Sequence, residues 1–408
     1  MAQKKKSRQR RLVLMPYMRC SMDASLFIAR RLRFKGNLST AAVAISFLVM
    51  IVAISVSSGF RHEIRSGLSS VSGDIQITPP DLNVFDHNSP IERYPSYLGS
   101  IESIDGVDEI IPVVYRAGIV KNGTEIHGVL FKGVPSSDTV ALGVSIPRRL
   151  SEITGIRTGD RMLAYFVSDR IKVRQFNVTD VHDALVQTDD RLVVYADIAD
   201  LQRLDGWTDE QVSAFEILLD ADSKKETDIM AAAEETGAYI NAFSSEDEAA
   251  VIAMSSVSRY PQLFDWLNLI DFNVVFILAL MIIVAGFNMI SGLLIMLFEN
   301  ISTIGTLKAM GMRNLAISKV FLASSSVIVL KGMVSGNLAA ILFCLVQGTT
   351  HLLKLDPENY FVSYVPVHLD LGMVLTIDVL AFTMIMLLMF IPCMFITRVD
   401  PAQTVRVR

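Results

Sequence analysis

Phe272–Leu297 reads FNVVFILALMIIVAGFNMISGLLIML, 26 residues with no Asp, Glu, Lys, Arg or His. As a helix it is roughly 39 Å long, more than the roughly 30 Å hydrocarbon core of a bilayer. The chain then becomes polar, ENISTIGTLKAMGMRN at 299–314, before a second long apolar run begins at Leu315. This pattern predicts two membrane spans joined by a short helix on one side.

Three further runs have similar character: Leu38–Val56, Leu315–Gly348 and Leu371–Thr397. Each is close to or above the roughly 20 residues a spanning helix needs. Lys319 stands near the end of the third run, where its stem can reach the headgroups. Lys331 lies deeper, and Gly332 and Gly336 offer a helix break beside it. A Lys331–Asp378 pair between the third and fourth spans would be structural, and the depths of the two residues speak against it.

Charge orients the spans. Residues 1–37 hold 11 Lys/Arg and one acid, whereas residues 59–271 hold 18 Lys/Arg and 35 Asp/Glu. Basic residues near span ends stay in the cytoplasm. Both termini and the 299–314 loop are therefore expected inside, and 59–271 and 349–370 outside. The fold class follows: an α-helical membrane protein with four transmembrane helices, plus a large extracytoplasmic mixed α/β domain inserted between helices 1 and 2. The expected division is a basic arm and interfacial helix (1–37), first span (38–58), exported domain and stalk (59–271), second span (272–298), inner helix (299–314), third span (315–348), outer loop (349–370), fourth span (371–397) and inner tail (398–408).

The basic N-terminus has an apolar part, Leu12–Met18, too short and too broken by Pro16 for a signal peptide. Met22 is an alternative start. Asp23–Phe34 suits a helix lying in the headgroup layer. The first span is expected to continue outward as helix to the Ser/Gly break at 69–73. Within the exported domain, Asp74–Thr78, Val113–Val120, Ile126–Gly133, Arg161–Val167, Asp190–Tyr195 and Phe215–Leu219 read as strands. Asn122–Gly123 is a hairpin signal. Pro90–Ile104, Asp197–Leu204 and Ser223–Thr236 read as helices. Ala249–Leu269 has helical spacing and runs into the second span, with a kink expected at Pro261.

No catalytic constellation is present. The sequence lacks G-x-x-x-x-G-K-[ST], H-E-x-x-H, C-x-x-C and G-x-S-x-G, and its six His are scattered. No metal site, cofactor site or nucleic-acid interface is expected. Cys344 and Cys393 lie in spans and read as packing residues; Cys20 is N-terminal.

Two stretches, FNMISGLLIMLFENISTIGTLKAMGMRN at 287–314 and IPCMFITRVDPAQTVR at 391–406, resemble the FtsX-like permease family of ABC transporters. The pattern I-x-x-L-K-A-x-G falls on Ile304, Leu307, Lys308, Ala309 and Gly311. The ending D-P-A-x-x-x-R falls on Asp400, Pro401, Ala402 and Arg406. FNMISGL is more similar to the lipoprotein-releasing LolC/LolE branch than to the MacB branch. The opening Glu299–Asn300 departs from the charged pair usual there.

The resemblance implies a MacB/LolC-like exported domain and a non-catalytic permease that relays the stroke of a separate cytoplasmic ATPase dimer, which holds the ATP and Mg. Glu299, Ile304, Leu307, Lys308, Met310 and Gly311 would meet that ATPase, with Ile304, Leu307 and Met310 inserted into its groove. A second permease copy or paralogue, membrane lipids, a lipoprotein substrate and a periplasmic lipoprotein carrier are the other implied partners. Phe47, Met50 and Ile54, with Phe276, Ala279 and Ile283, are candidates to line the lipoprotein cavity. The setting implied is the inner membrane. A MacB-like export subunit and an FtsX-like scaffold activating a cell-wall hydrolase remain alternatives.

Overall fold

The computed structural model describes residues 37–80, 90–122, 125–135, 141–167, 171–183, 192–220, 225–356 and 360–393. The basic arm and its interfacial helix, Cys20, Gly123 of the hairpin signal, and the C-terminal Asp400–Arg406 motif lie outside these residues. The chain divides into two compact units.

The first unit comprises residues up to Gly59, Leu269–Leu352 and Pro366 onward. It contains the apolar parts of four helices long and apolar enough to cross a membrane. These are α1 (Asn37–Ser72), α7 (Pro261–Glu299), α9 (Asn314–Thr350) and α10 (Leu371–Leu388), the last extended by the short α11 (Phe390–Cys393). A shorter helix, α8 (Ile301–Ala309), stands between α7 and α9. One apolar cluster joins them: Val43, Phe47 and Met50 of α1, Met289, Leu293 and Met296 of α7, Phe321 and Val329 of α9, and Ala381 and Ile385 of α10.

Gly332 and Gly336 do not break α9, which is continuous from Asn314 to Thr350. They are where α1 comes closest. A Cβ on Gly332 would stand 2.7 Å from Val43 Cγ1, and one on Gly336 would stand 2.9 Å from Phe47 Cβ. Small residues four apart let two backbones approach and gain packing that side chains would prevent.

Lys331 and Asp378 do not pair. Lys331 faces outward. Asp378 is buried and accepts a 2.5 Å hydrogen bond from Asn337 Nδ2. Asn337 lies six residues beyond Lys331, nearly two turns along α9, which turns it onto the face that meets α10.

The second unit is Phe60–Asn268 with Leu353–Val365. Its strands are β1 (Ile75–Thr78), β2 (Ile91–Glu92), β3 (Val107–Asn122), β4 (Glu125–Val134), β5 (Gly143–Pro147), β6 (Arg161–Phe166), β7 (Lys172–His182), β8 (Leu192–Asp197), β9 (Gln211–Val212), β10 (Ala214–Leu219) and β11 (Ile252–Ser255). Its helices are α2 (Leu98–Ile101), α3 (Arg148–Thr154), α4 (Ile198–Asp205), α5 (Glu226–Phe243) and α6 (Ser256–Arg259).

The nine-stranded sheet has the order β11-β1-β10-β3-β4-β8-β5-β7-β6, and β6 also pairs with β3. Strands β3, β4, β8, β5, β7 and β6 thus close a ring, and β10, β1 and β11 extend from it. The ring is filled by Phe131, Phe166 and Phe176, all buried, with ring centroids 5.0–6.2 Å apart. Closing the sheet removes edges that would otherwise invite pairing with other chains.

Several local expectations change. Pro90–Ile104 is not one helix: Ile91–Glu92 pair with Gln211–Val212, and only Leu98–Ile101 is helical. Pro95 lacks the N–H a helix interior needs. Ala249–Leu269 is not one helix either. Ile252–Ser255 pair with β1, and α7 starts at Pro261. Proline there does not kink the helix but occupies its first residue, where a missing N–H costs nothing.

Candidate functional site

The candidate site is the turn region around α8. Glu299 ends α7 and is exposed. The Asn300 side chain donates to Met296 O at 2.9 Å, and its carbonyl accepts from Ile304 N at 3.0 Å. One residue therefore closes α7 and opens α8.

The C-terminus of α8 explains the K-A-x-G pattern physically. Gly311 adopts φ 87°, a left-handed conformation that costs other residues a steric clash. Met312 N donates to Leu307 O at 3.0 Å and Gly311 N to Lys308 O at 2.9 Å. These two bonds form a Schellman cap. Leu307 and Met312, the two positions that touch across such a cap, are both half-buried against the apolar cluster. Lys308 lies in the last turn, where a cation complements the helix dipole. Arg313 then adopts extended backbone and caps α9.

The stripe expected from sequence divides. Ile304 is 1% exposed within the helix cluster. Leu307 and Lys308 are half-buried. Met310 is 79% exposed, and Ser302, Thr303, Thr306, Ala309 and Gly311 are exposed with it. Ile304 therefore packs inside the bundle and Leu307 rests against it, while Met310 stands on the exposed face. The free face is Ser302, Thr303, Thr306 and Met310, which sequence reasoning passed over because three of the four are small and polar. Their spacing of three and four residues opposite Ile304 was the available signal.

The cavity candidates also separate. Phe47 and Met50 are fully buried and Ile54 nearly so. Phe276 and Ile283 are 65% and 49% exposed, and Ala279 is exposed too. The first set is thus buried and the second exposed. Phe47 and Met50 are bundle packing, because Gly336 admits α1 so closely. The outward positions of α1 at this level are Ala41 and Ile45. Helix α7 is the least covered, with 17% of its apolar window buried against 39% for α1.

Among the described residues no group of three or more His, Cys, Asp or Glu could hold a metal ion. Cys344 and Cys393 are buried and unpaired by disulfide.

Residues 275–401 match the family model "FtsX-like permease C-terminal". The match covers the C-terminal third of the chain, which resembles the FtsX-like permeases of ABC transporters. The chain resembles the LolC/LolE branch of that family. It is 21% identical over 404 residues to the lipoprotein-releasing system transmembrane protein LolC of Xylella fastidiosa, covering 91% of this chain and 94% of that one. It is 22% identical over 411 residues to the protein of the same name from Neisseria meningitidis serogroup B, with the same coverage. Among solved structures, the periplasmic region of MacB from Actinobacillus actinomycetemcomitans aligns at 12% identity and TM-score 0.30, over 46% of this chain and 91% of that one. The extracellular domain of the ABC-type transporter YknZ from Gram-positive bacteria aligns at 12% identity and TM-score 0.29, over 44% and 99%.

Among the described residues four helices are long and apolar enough to cross a membrane, and the similarity to FtsX-like permeases supports a membrane-bound ABC permease subunit. Similarity to a family of ABC-transporter permeases implies an ATPase partner.

Proposed function

We propose that the chain extracts lipoproteins from the inner membrane and passes them to a periplasmic carrier, using the stroke of a separate cytoplasmic ATPase. The termini and α8 lie in the cytoplasm, and the second unit lies in the periplasm. A second permease, a copy or a paralogue, completes the complex. The observation that carries this reading is α8 itself: a capped helix, anchored by Ile304 and Leu307, that offers Thr303, Thr306 and Met310 outward between two spanning helices. A helix anchored on one face and free on the other can pass a push from a partner to α7 and α9 without deforming.

The ATPase would keep ATP and Mg to itself. Helix α7 would present Phe276, Ala279 and Ile283 to acyl chains. On α1 the corresponding lining would be Ala41 and Ile45, in place of Phe47, Met50 and Ile54.

The test is purification in mild detergent with mass spectrometry of what accompanies the chain. An ABC ATPase and triacylated lipoproteins are expected. Met310→Asp should lose the ATPase while keeping the fold, whereas Ile304→Asp should disrupt the bundle. Recovery of a peptidoglycan hydrolase without lipoprotein would favour the signalling alternative and overturn the proposal.

A further inference from the structure

Helix α1 ends, and helix α7 begins, on the same buried polar chain inside the second unit. Lys132, 3% exposed, donates to Ser70 O at 3.0 Å and Val71 O at 2.9 Å, the last carbonyls of α1. The same Nζ donates to Glu216 Oε2 at 2.7 Å. Tyr115 Oη donates to the other oxygen, Glu216 Oε1. Gln76 Nε2 donates to Tyr115 Oη at 2.9 Å, and Arg259 donates to Gln76 Oε1. Arg259 closes α6, two residues before Pro261 opens α7.

The arrangement is poorly explained as stability alone. Both charges are withdrawn from water, at a desolvation cost that their attraction does little more than offset. Apolar residues of similar size would fill the sheet as well. Hydrogen bonds, unlike apolar contacts, are directional and weaken steeply with distance and angle. Lys132 cannot follow the end of α1 outward without leaving Glu216, and Glu216 is held by Tyr115.

We propose that this chain of hydrogen bonds, from Ser70–Val71 through Lys132, Glu216, Tyr115 and Gln76 to Arg259, transfers displacement between the end of α1 and the start of α7. The two helices then move as a coupled pair. The inference rests on the reading of this permease as a relay for an ATPase. It adds where, outside the bilayer-spanning segments, the stroke is shared.

The experiment uses the complex purified with its ATPase and placed in nanodiscs, with phosphate production and release of a triacylated lipoprotein measured together. The paired variant Lys132→Met/Glu216→Leu removes both charges and leaves neither orphaned. Its ATP hydrolysis should stay near wild type while release per ATP falls about tenfold, the scale of a typical coupling between sites. Unchanged release per ATP would overturn the proposal. A second measurement needs no variant. On vanadate trapping of the wild-type complex, amide hydrogen exchange at Ser69–Gly73 and at Ser256–Tyr260 should change together. A change at one segment alone would overturn the coupling. A wild-type complex that hydrolyses ATP but releases no lipoprotein would instead sink the proposed function, leaving the exchange experiment to judge the network.

Discussion

Asn337 Nδ2 donates to Asp378 Oδ2 across α9 and α10, 2.5 Å apart within the bundle of apolar helices. Asn337 Oδ1 and Asp378 Oδ1 are both buried without a hydrogen-bond partner among the described residues. The pair is therefore poorly satisfied and sensitive to the loss of either member. Asp378→Leu alone, or Asn337→Leu alone, should cost about 1–3 kcal/mol by leaving a buried polar group unpaired. The double replacement should cost much less. Thermal unfolding in detergent of the two singles and the double checks this; additive losses would count against the pairing.

The glycines give a graded prediction. Gly336→Ala places a methyl against the Ala44 carbonyl and Phe47, and backbone cannot step aside cheaply. It should loosen α1 from α9 by roughly 1–3 kcal/mol. Gly311→Ala meets nothing nearby but must hold φ 87°, at about 1–2 kcal/mol. Gly237→Ala, in open space on α5, should gain about 0.5–1 kcal/mol. Apparent melting temperatures should rise from Gly336→Ala through Gly311→Ala to Gly237→Ala.

The Lys132–Glu216 pair carries a stability prediction separate from coupling. Burial pushes the Lys132 ammonium below its usual range and the Glu216 carboxyl above its own, despite their mutual attraction. Both shifts mark charges that would rather be in water. Lys132→Met alone or Glu216→Leu alone should cost about 3–5 kcal/mol by stranding its partner, and the double should cost less than either single, its residual loss coming from Tyr115 Oη and Val71 O deprived of these partners. Denaturant unfolding of the full chain measures all three.

Histidine gives the pH dependence. Burial lowers the pKa of His182 from 6.5, despite the opposing pull of Asp180 and Asp183. Its neutral Nδ1 lies 2.9 Å from Ser145 Oγ, and its ring meets Tyr195 edge-on at 4.9 Å. The unfolded chain therefore takes up this proton more readily than the folded one. Stability should be full above about pH 6.5 and fall as pH drops towards the lowered value. His182→Gln should flatten that slope in a melting series from pH 7.5 to 5.

The stalk region shows what patterning could and could not convey. The outward continuation of α1 to the Ser/Gly break was readable, because apolar and small residues keep helical spacing to Ser72. The aromatic contacts of Trp266 were not. Trp266 stands edge-on to Phe60 and to Phe361, both at 5.6 Å, and Phe361 takes φ 62° to do so. Nothing local asks a phenylalanine to adopt that backbone; its ring contact is with Trp266, a residue distant in sequence. Likewise Ile252–Ser255 has no strong strand signal and is a strand because β1 offers it an edge.

Sequence alone determined four apolar stretches, the charge bias between their connections and the capped turn at Gly311, because hydropathy, charge and turn chemistry act over a few neighbouring residues. Tertiary structure decided which face of each helix is covered. It put Ile304 and Phe47 inside, left Met310 and Phe276 outside, set Gly336 against α1 and gave Asp378 to Asn337. It also joined Lys132 to Glu216 across 84 positions of chain. Those outcomes depend on which surfaces meet after the chain has collapsed, and periodicity reports only that a surface exists.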